Sequence, residues 1–365
     1  MPFAFLPIFF LFFALAGCET PLNLKISPIV NLKKPVTLAH LKSLGAKLVF
    51  VLEESDSTQW VAALPLGTVV NEGGILTQEG CILQSTKTSS RDQHGLMNPR
   101  RNLEKETPLR FQGRLAVISS PGSENWYHWL LQVLPRLIIL QKSGVAYDRI
   151  YINNLQHVWQ KESLSLVLSH LEIDPEKILT INGDAIVQAS ELIVPSVPFI
   201  PNVRVGEPIP LWLKEELHRI FLRKPKNQPT SAASSKKIYI ARRKASIRRI
   251  SNEVQLIQKL KAKGFKAVFL EDLSPFEQAY LFHEAEVIVG PHGSGFANLI
   301  FARPGCVLVE IDHGIKPEPR SFYKRMAHLM GCSYVPFYVD QTTEDHLEDD
   351  MDVDISKLMI LLDQQ

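Results

Sequence analysis

The stretch Gly290-Pro291-His292-Gly293-Ser294-Gly295 sets one imidazole inside a turn that carries three glycines. With no Cβ in the way, such a turn lets a ligand approach the backbone closely. The apolar run Val287-Ile288-Val289 leads into it and Phe296-Ala297-Asn298-Leu299 follows, which reads as strand, glycine loop and first turn of a short helix. A helix start placed there offers unpaired N–H groups to a phosphate. The plainer alternative is a turn whose glycines serve only tight strand–helix packing. Upstream, residues 236–249 hold seven Lys or Arg and no acid. Guanidinium groups grip phosphate oxygens bidentately, so a diphosphate suits this run. A solvated basic face is the other reading. Nucleic acid is disfavoured, because only Tyr239 interleaves the basic residues and the formal net charge is +2. A third group is Asn125, His128 and Gln132, spaced to share one face of a helix. Beside them runs the apolar stripe Trp126, Trp129, Leu130, Val133, Leu134, Leu137, Ile138. His128 is the first candidate for a general base, since a neutral imidazole accepts a hydroxyl proton near pH 7. It could equally orient an acceptor, bind phosphate or fill a structural role.

These groups need elements to hold them. Short apolar runs at 237–240, 265–270, 287–290 and 306–311 predict strands, and helical spacing at 252–263 and 274–284 predicts helices between them. Ser251 is the expected N-cap of the first helix and Gly264 its stop, while Ser274-Pro275 starts the second. Strands alternating with helices imply an α/β fold with an open, doubly wound parallel sheet. The basic loop, Glu271 with Asp272, the glycine loop, and Glu310 followed by Asp312 and His313 then fall at the ligand-binding ends of the strands. Glu271 or Asp272 could meet the ribose or base of a nucleoside. In the N-terminal half, strands are expected at 47–52, 114–119, 149–152 and within 185–194. A helix capped by Ser123 carries His128, and Pro135 should kink it or end its regular part. An amphipathic helix at 210–222 precedes a polar linker. The expected organisation is an apolar segment 1–24, an acceptor-side domain 25–222, a linker 223–237 and a nucleotide-sugar-binding domain 238–365.

Three motifs in order carry a resemblance: NWYHWLLQVLPRL at 125–137, YIARRKASIRRISNE at 239–253 and GPHGSGFANLIFARPGCVLVEI at 290–311. Together they resemble family 61 glycosyltransferases, which include capsular and exopolysaccharide enzymes, over roughly residues 115–311. The resemblance implies a GT-B-like fold, two Rossmann-like domains facing across a cleft. It implies inverting hexosyl or pentosyl transfer from a nucleotide sugar, UDP-linked, to a glycan or polysaccharide acceptor, with no bound metal or other cofactor. It matches Arg242 and Arg248 or Arg249 to basic positions near the diphosphate, His292, Gly293, Ser294 and Gly295 to the donor loop, and Asn125 and His128, the catalytic candidates, to the family's N-terminal Asn and His. No carboxylate stands in a matching motif to serve as base.

Asp350-x-Asp352 and Asp352-x-Asp354 fit a metal-binding triplet, yet they lie in an acidic run with no strand leading into it, so capping of a helix from about residue 355 is the expectation. Cys18, Cys81, Cys306 and Cys332 are widely spaced, which argues against a zinc site or a disulfide framework. Residues 2–17 are apolar and uncharged, and Leu15-Ala16-Gly17-Cys18 resembles a lipobox. A positively charged start is missing, and Lys25, Lys33 and Lys34 follow, so a cytoplasmic enzyme held at the membrane is expected, with export as a lipoprotein through Cys18 as the alternative. The rival function is a membrane-anchored, non-catalytic glycan- or nucleotide-binding protein. A Rossmann oxidoreductase is disfavoured, because a full G-x-G-x-x-G on a first βα turn is missing.

Overall fold

The computed structural model describes residues 47–53, 58–78, 108–120, 122–181, 183, 185–198, 209–223, 235–242, 245–315, 322–342, 346 and 348–364. The apolar segment 2–17, Cys18, Cys81, Arg243, Lys244 and residues 224–234 of the expected linker lie outside them. Among the described residues no helix is long and apolar enough to cross a membrane. The chain divides into two α/β units. The first draws on Thr58–Glu124 and Gln132–Val197, and the second on Asn125–Leu131 and Pro198–Gln365.

In the first unit the strands are β1 (Lys47–Glu53), β2 (Thr58–Pro65), β3 (Thr68–Val70), β4 (Gly74–Leu76), β5 (Leu109–Val117), β6 (Arg149–Asn153), β7 (Ile178–Ile181) and β8 (Ile186–Pro195). They form one sheet in the order β1-β2-β8-β5-β6-β7, with β3 and β4 paired at its side. β5 through β8 run parallel, and β1 to β4 join antiparallel. The inward faces of these strands pack Trp60, Leu64, Leu115, Val117, Tyr151, Leu192 and Val194 into one core. The helical stretch after β5 opens as α1 (Trp126–His128), passes through a π-turn at Trp129–Val133 and continues as α2 (Leu134–Ser143). Pro135 causes that irregularity: it has no N–H, and its ring clashes with the carbonyl four residues back, so a wider turn relieves the clash. Arg136 on α2 is fully buried and donates to the Ser119 carbonyl just past β5. The helix following β6, α3 (Val158–His170), closes its start with Gln160 Oε1 accepting from the His157 N–H at 2.9 Å.

The second unit is a parallel five-stranded sheet in the order β10-β9-β11-β12-β13. Its members are β9 (Lys237–Ala241), β10 (Lys266–Phe269), β11 (Val287–Pro291), β12 (Val307–Ile315) and β13 (Ser333–Thr342). Between them run α5 (Glu253–Ala262), α6 (Pro275–Glu284), a 3₁₀ helix at Ser294–Phe301 and α7 (Phe322–Leu329), after α4 (Leu211–Phe221) and before α8 (Ile355–Leu362). The alternation read from the apolar runs is present, and Ser274 closes a capping box with Glu277. Two caps differ. Asn252, not Ser251, precedes α5, because the Ser251 hydroxyl is taken by Asp352 Oδ1 at 2.7 Å. Asn125, not Ser123, caps α1, its Oδ1 accepting from the Tyr127 N–H at 2.9 Å.

A buried amide network fixes the N-terminal motif in this second unit. The Trp126 indole N–H donates to Asn298 Oδ1 at 3.0 Å, and Asn298 Nδ2 donates to Gln278 Oε1 at 2.9 Å. Gln278 in turn donates to the carbonyls of Leu270 and Leu273. Asn298 is fully buried, so Asn298→Ala strips two interior bonds at once and should lower stability by about 1–3 kcal/mol. The midpoint of urea unfolding reads this directly, and an unchanged midpoint would count against the network.

Candidate functional site

Chain order and strand order disagree at one place in the second sheet. From β9 the chain goes to β10 on one side, then returns to β11 on the other. The loops after β9 and β11 therefore diverge, and such a switch point opens the crevice in which α/β sheets bind ligands. Arg242 follows β9 and His292 follows β11, so both stand at this crevice. They are joined directly: Arg242 Nη1 donates to the His292 carbonyl at 2.5 Å, and Arg248 Nε donates to the same oxygen at 3.3 Å. Arg242 is partly buried, and that burial pulls its pKa below the ordinary arginine value. Two cations on one carbonyl concentrate positive charge beside the glycine loop, an arrangement suited to an anion. Arg248 holds this place in a left-handed conformation, φ 54°, uncommon for a residue with a side chain.

Gly293 shows why the loop needs glycine. A Cβ there would lie 2.8 Å from Arg242 Nη1. Gly293→Ala should push the guanidinium aside, weakening anion binding roughly tenfold with little change in thermal midpoint, because a long side chain can yield. Binding unchanged by this variant would show that Arg242 is not held where it is needed.

The imidazole of His292 is itself held from behind. Its Nδ1 lies 2.6 Å from Glu310 Oε1 and 3.8 Å from Asp312 Oδ2. Glu310 is buried, and its second oxygen accepts from the Tyr334 hydroxyl at 2.7 Å. Parallel pairing sets Gly290 opposite Glu310, which is how strand register delivers the carboxylate to a histidine two residues further on. A carboxylate on Nδ1 fixes the ring with that nitrogen protonated and leaves Nε2 to handle a proton or a ligand. Burial and the Glu310 charge push the Tyr334 phenol far up, so it stays a donor. The backbone of the loop is pinned as well, with the buried Tyr323 hydroxyl donating to the Gly293 carbonyl at 2.7 Å.

Within the same unit, ring contacts lead from this loop to the N-terminal motif. His292 lies 5.2 Å from the Tyr323 ring, Tyr323 5.1 Å from Phe322, Phe322 4.8 Å from Tyr127, and Tyr127 5.2 Å from His128. The expected residues Arg242, Arg248, His292, Gly293, Ser294, Gly295 and His128 thus belong to one unit. Glu271 stands exposed in the turn after β10, at the same sheet edge but on the far side of β9 from the glycine loop. Gly295 packs tightly against the residue before Glu271, Leu270, whose Cδ1 lies 2.6 Å from the position of a Cβ. Asn125 is exposed and its side-chain oxygen serves the cap described above.

Arg249 stands apart from Arg242 and Arg248. Its guanidinium forms a fork with Asp350, Nε donating to Oδ1 at 3.1 Å and Nη2 to Oδ2 at 2.6 Å. That pair belongs to a seam in which the acidic tail docks on the basic loop: Met351 N–H donates to the Arg249 carbonyl, Ser251 N–H to the Met351 carbonyl, and Asn252 Nδ2 to the Val353 carbonyl. Asp350 and Asp352 are therefore bonded to Arg249 and Ser251, and Asp354 caps α8 as the sequence led us to expect. Asp312 and His313 lie inside β12, not just past it, since pairing with β13 prolongs that strand. His313 is buried there between Asp340 Oδ1 at 2.6 Å and the Asp349 carbonyl at 3.1 Å. Sequence reasoning noted Glu310 without giving it a role and passed over Tyr323 and Tyr334. Only the alignment of β11 with β12 could have linked Glu310 to His292. Among the described residues, His292, Glu310 and Asp312 also form a set whose ligand atoms lie within 4.8 Å of one another.

The family model described as Glycosyltransferase 61 matches residues 126–309, just over half of the chain. The protein belongs to that family, and membership supports glycosyltransferase activity. No curated protein matches the chain.

Proposed function

We propose that the protein is an inverting glycosyltransferase that moves a sugar from a nucleoside-diphosphate donor, UDP-linked, to a glycan or polysaccharide acceptor. The observation that carries this reading is the pair Arg242 and Arg248 meeting on the His292 carbonyl at a sheet switch point. Departure of a nucleoside diphosphate builds negative charge, and fixed cations beside a glycine loop stabilise it. His292, oriented by Glu310, contacts the donor phosphate through Nε2. His128 takes the proton of the acceptor hydroxyl. In this reading the second unit, which carries Arg242, Arg248, His292 and His128, binds the donor, and the fold is of the GT-B type. Capsular or exopolysaccharide synthesis is the setting the family resemblance favours, with the enzyme cytoplasmic and membrane-associated through residues 2–17. The test is a panel of nucleotide sugars with saccharide acceptors, following diphosphate release and the anomeric configuration of the product by NMR. Transfer with inversion supports the reading. Release without transfer, or a retained configuration, overturns it. A second reading keeps the transferase but seats a divalent cation on His292, Glu310 and Asp312, whose ligand atoms converge. Activity abolished by chelation and restored by Mn²⁺ would select it.

A further inference from the structure

Cys306 and Cys332 stand side by side. Each immediately precedes a strand, and parallel pairing puts Val307 opposite Ser333. The register continues outward by one residue, since the Ser333 N–H donates to the Cys306 carbonyl at 2.9 Å. Neighbouring strands lie about 4.8 Å apart, within the Cα separation of about 4.4–6.8 Å that a disulfide spans. The two thiols are free and buried. Cys332 Sγ also lies 3.4 Å from the Arg303 carbonyl. Cys332 forms part of the wall of a cavity of about 650 Å³, whose other lining residues are Lys324, Arg325, His328, Ser333 and Tyr334. The basic side chains Lys324, Arg325 and His328 in this wall draw in anions. Cys332 lines the cavity and Cys306 does not, so Cys332 is the attacking sulfur and Cys306 the resolving one.

We propose that Cys332 and Cys306 form a thiol–disulfide exchange site, entered through this cavity by an anionic low-molecular-weight disulfide of the glutathione type. The Cys332 thiolate attacks one sulfur of that disulfide, its S–S bond breaks, and one thiolate leaves with a mixed disulfide remaining on Cys332. The departing thiolate takes the Cys306 proton. Cys306 then attacks Cys332 Sγ, the mixed bond breaks, and the second thiolate leaves. Two protein thiols are oxidised to one disulfide, and one small disulfide is reduced to two thiols. The site does not depend on the transferase reading.

The test uses the full, reduced chain exposed to oxidised glutathione at neutral pH and mapped by mass spectrometry of an unreduced digest. A peptide linking Cys306 to Cys332 is expected, with near-ultraviolet circular dichroism showing that the chain is still folded. Cys306→Ser should stop at a stable glutathione adduct on Cys332, and Cys332→Ser should leave Cys306 unmodified. Oxidised glutathione should react about tenfold faster than neutral hydroxyethyl disulfide. A folded wild-type chain that keeps both thiols, or that collects its adduct on Cys306, overturns the proposal. Equal rates with the neutral disulfide would overturn capture by the basic cavity.

Discussion

Replacing Arg242 by alanine is expected to lower kcat/KM by about 10²–10³-fold, the usual loss on removing one fixed group that stabilises charge developing in the transition state. The guanidinium touches the His292 carbonyl at 2.5 Å and occupies the space that a Cβ on Gly293 would enter. Its loss therefore removes a cation from the crevice and loosens the glycine loop together. The two effects can be separated. Arg242→Lys keeps the charge but not the planar fork, and it should recover only part of the activity. A thermal midpoint close to wild type in both variants would assign the loss to charge and not to folding. Full activity in Arg242→Ala would remove the arginine pair from the account.

The second large effect is expected at Glu310. Glu310→Gln should lower kcat by about 10²-fold or more, the lower range of proton-transfer and positioning effects. Glu310 accepts from two groups, the His292 ring and the Tyr334 hydroxyl, through its two oxygens. A glutamine has one carbonyl oxygen to offer, so either the ring turns or the phenol goes unpaired in the interior. Tyr334→Phe removes only the outer partner and should cost severalfold. Steady-state kinetics of both variants, with the order of effects Glu310 above Tyr334, checks the chain of contacts; a reversed order would break it.

Much of the second sheet is legible in the sequence because its signals are local. Apolar runs of strand length, a Ser-Pro helix start and the glycine stop at Gly264 each depend on near neighbours. The loops that carry Arg242 and His292 follow from the same signals. What was not legible depends on partners far along the chain. Glu310 meets His292 only because β11 and β12 pair in register, and an isolated strand does not name its neighbour. Arg249 reads as a phosphate ligand until Asp350, about a hundred residues on, is seen forked with it. Asn125 carries two signals, a polar face and a cap, and the backbone of α1 satisfies the second. β13 was not singled out from its sequence, and without it Asp312 and His313 look like loop residues. Asn125–Leu131 belongs to the second unit, where Trp126 is bonded to Asn298, a residue far along the sequence.

The central claim is that Arg242 and its loop bind a nucleoside diphosphate. Isothermal calorimetry with UDP, GDP and CMP, with and without Mn²⁺, on wild type and Arg242→Ala tests it most directly. The account expects UDP to bind without metal and Arg242→Ala to lose that binding. Nucleotide binding that is equally tight in Arg242→Ala, or no nucleotide binding to the folded wild-type chain, would contradict it.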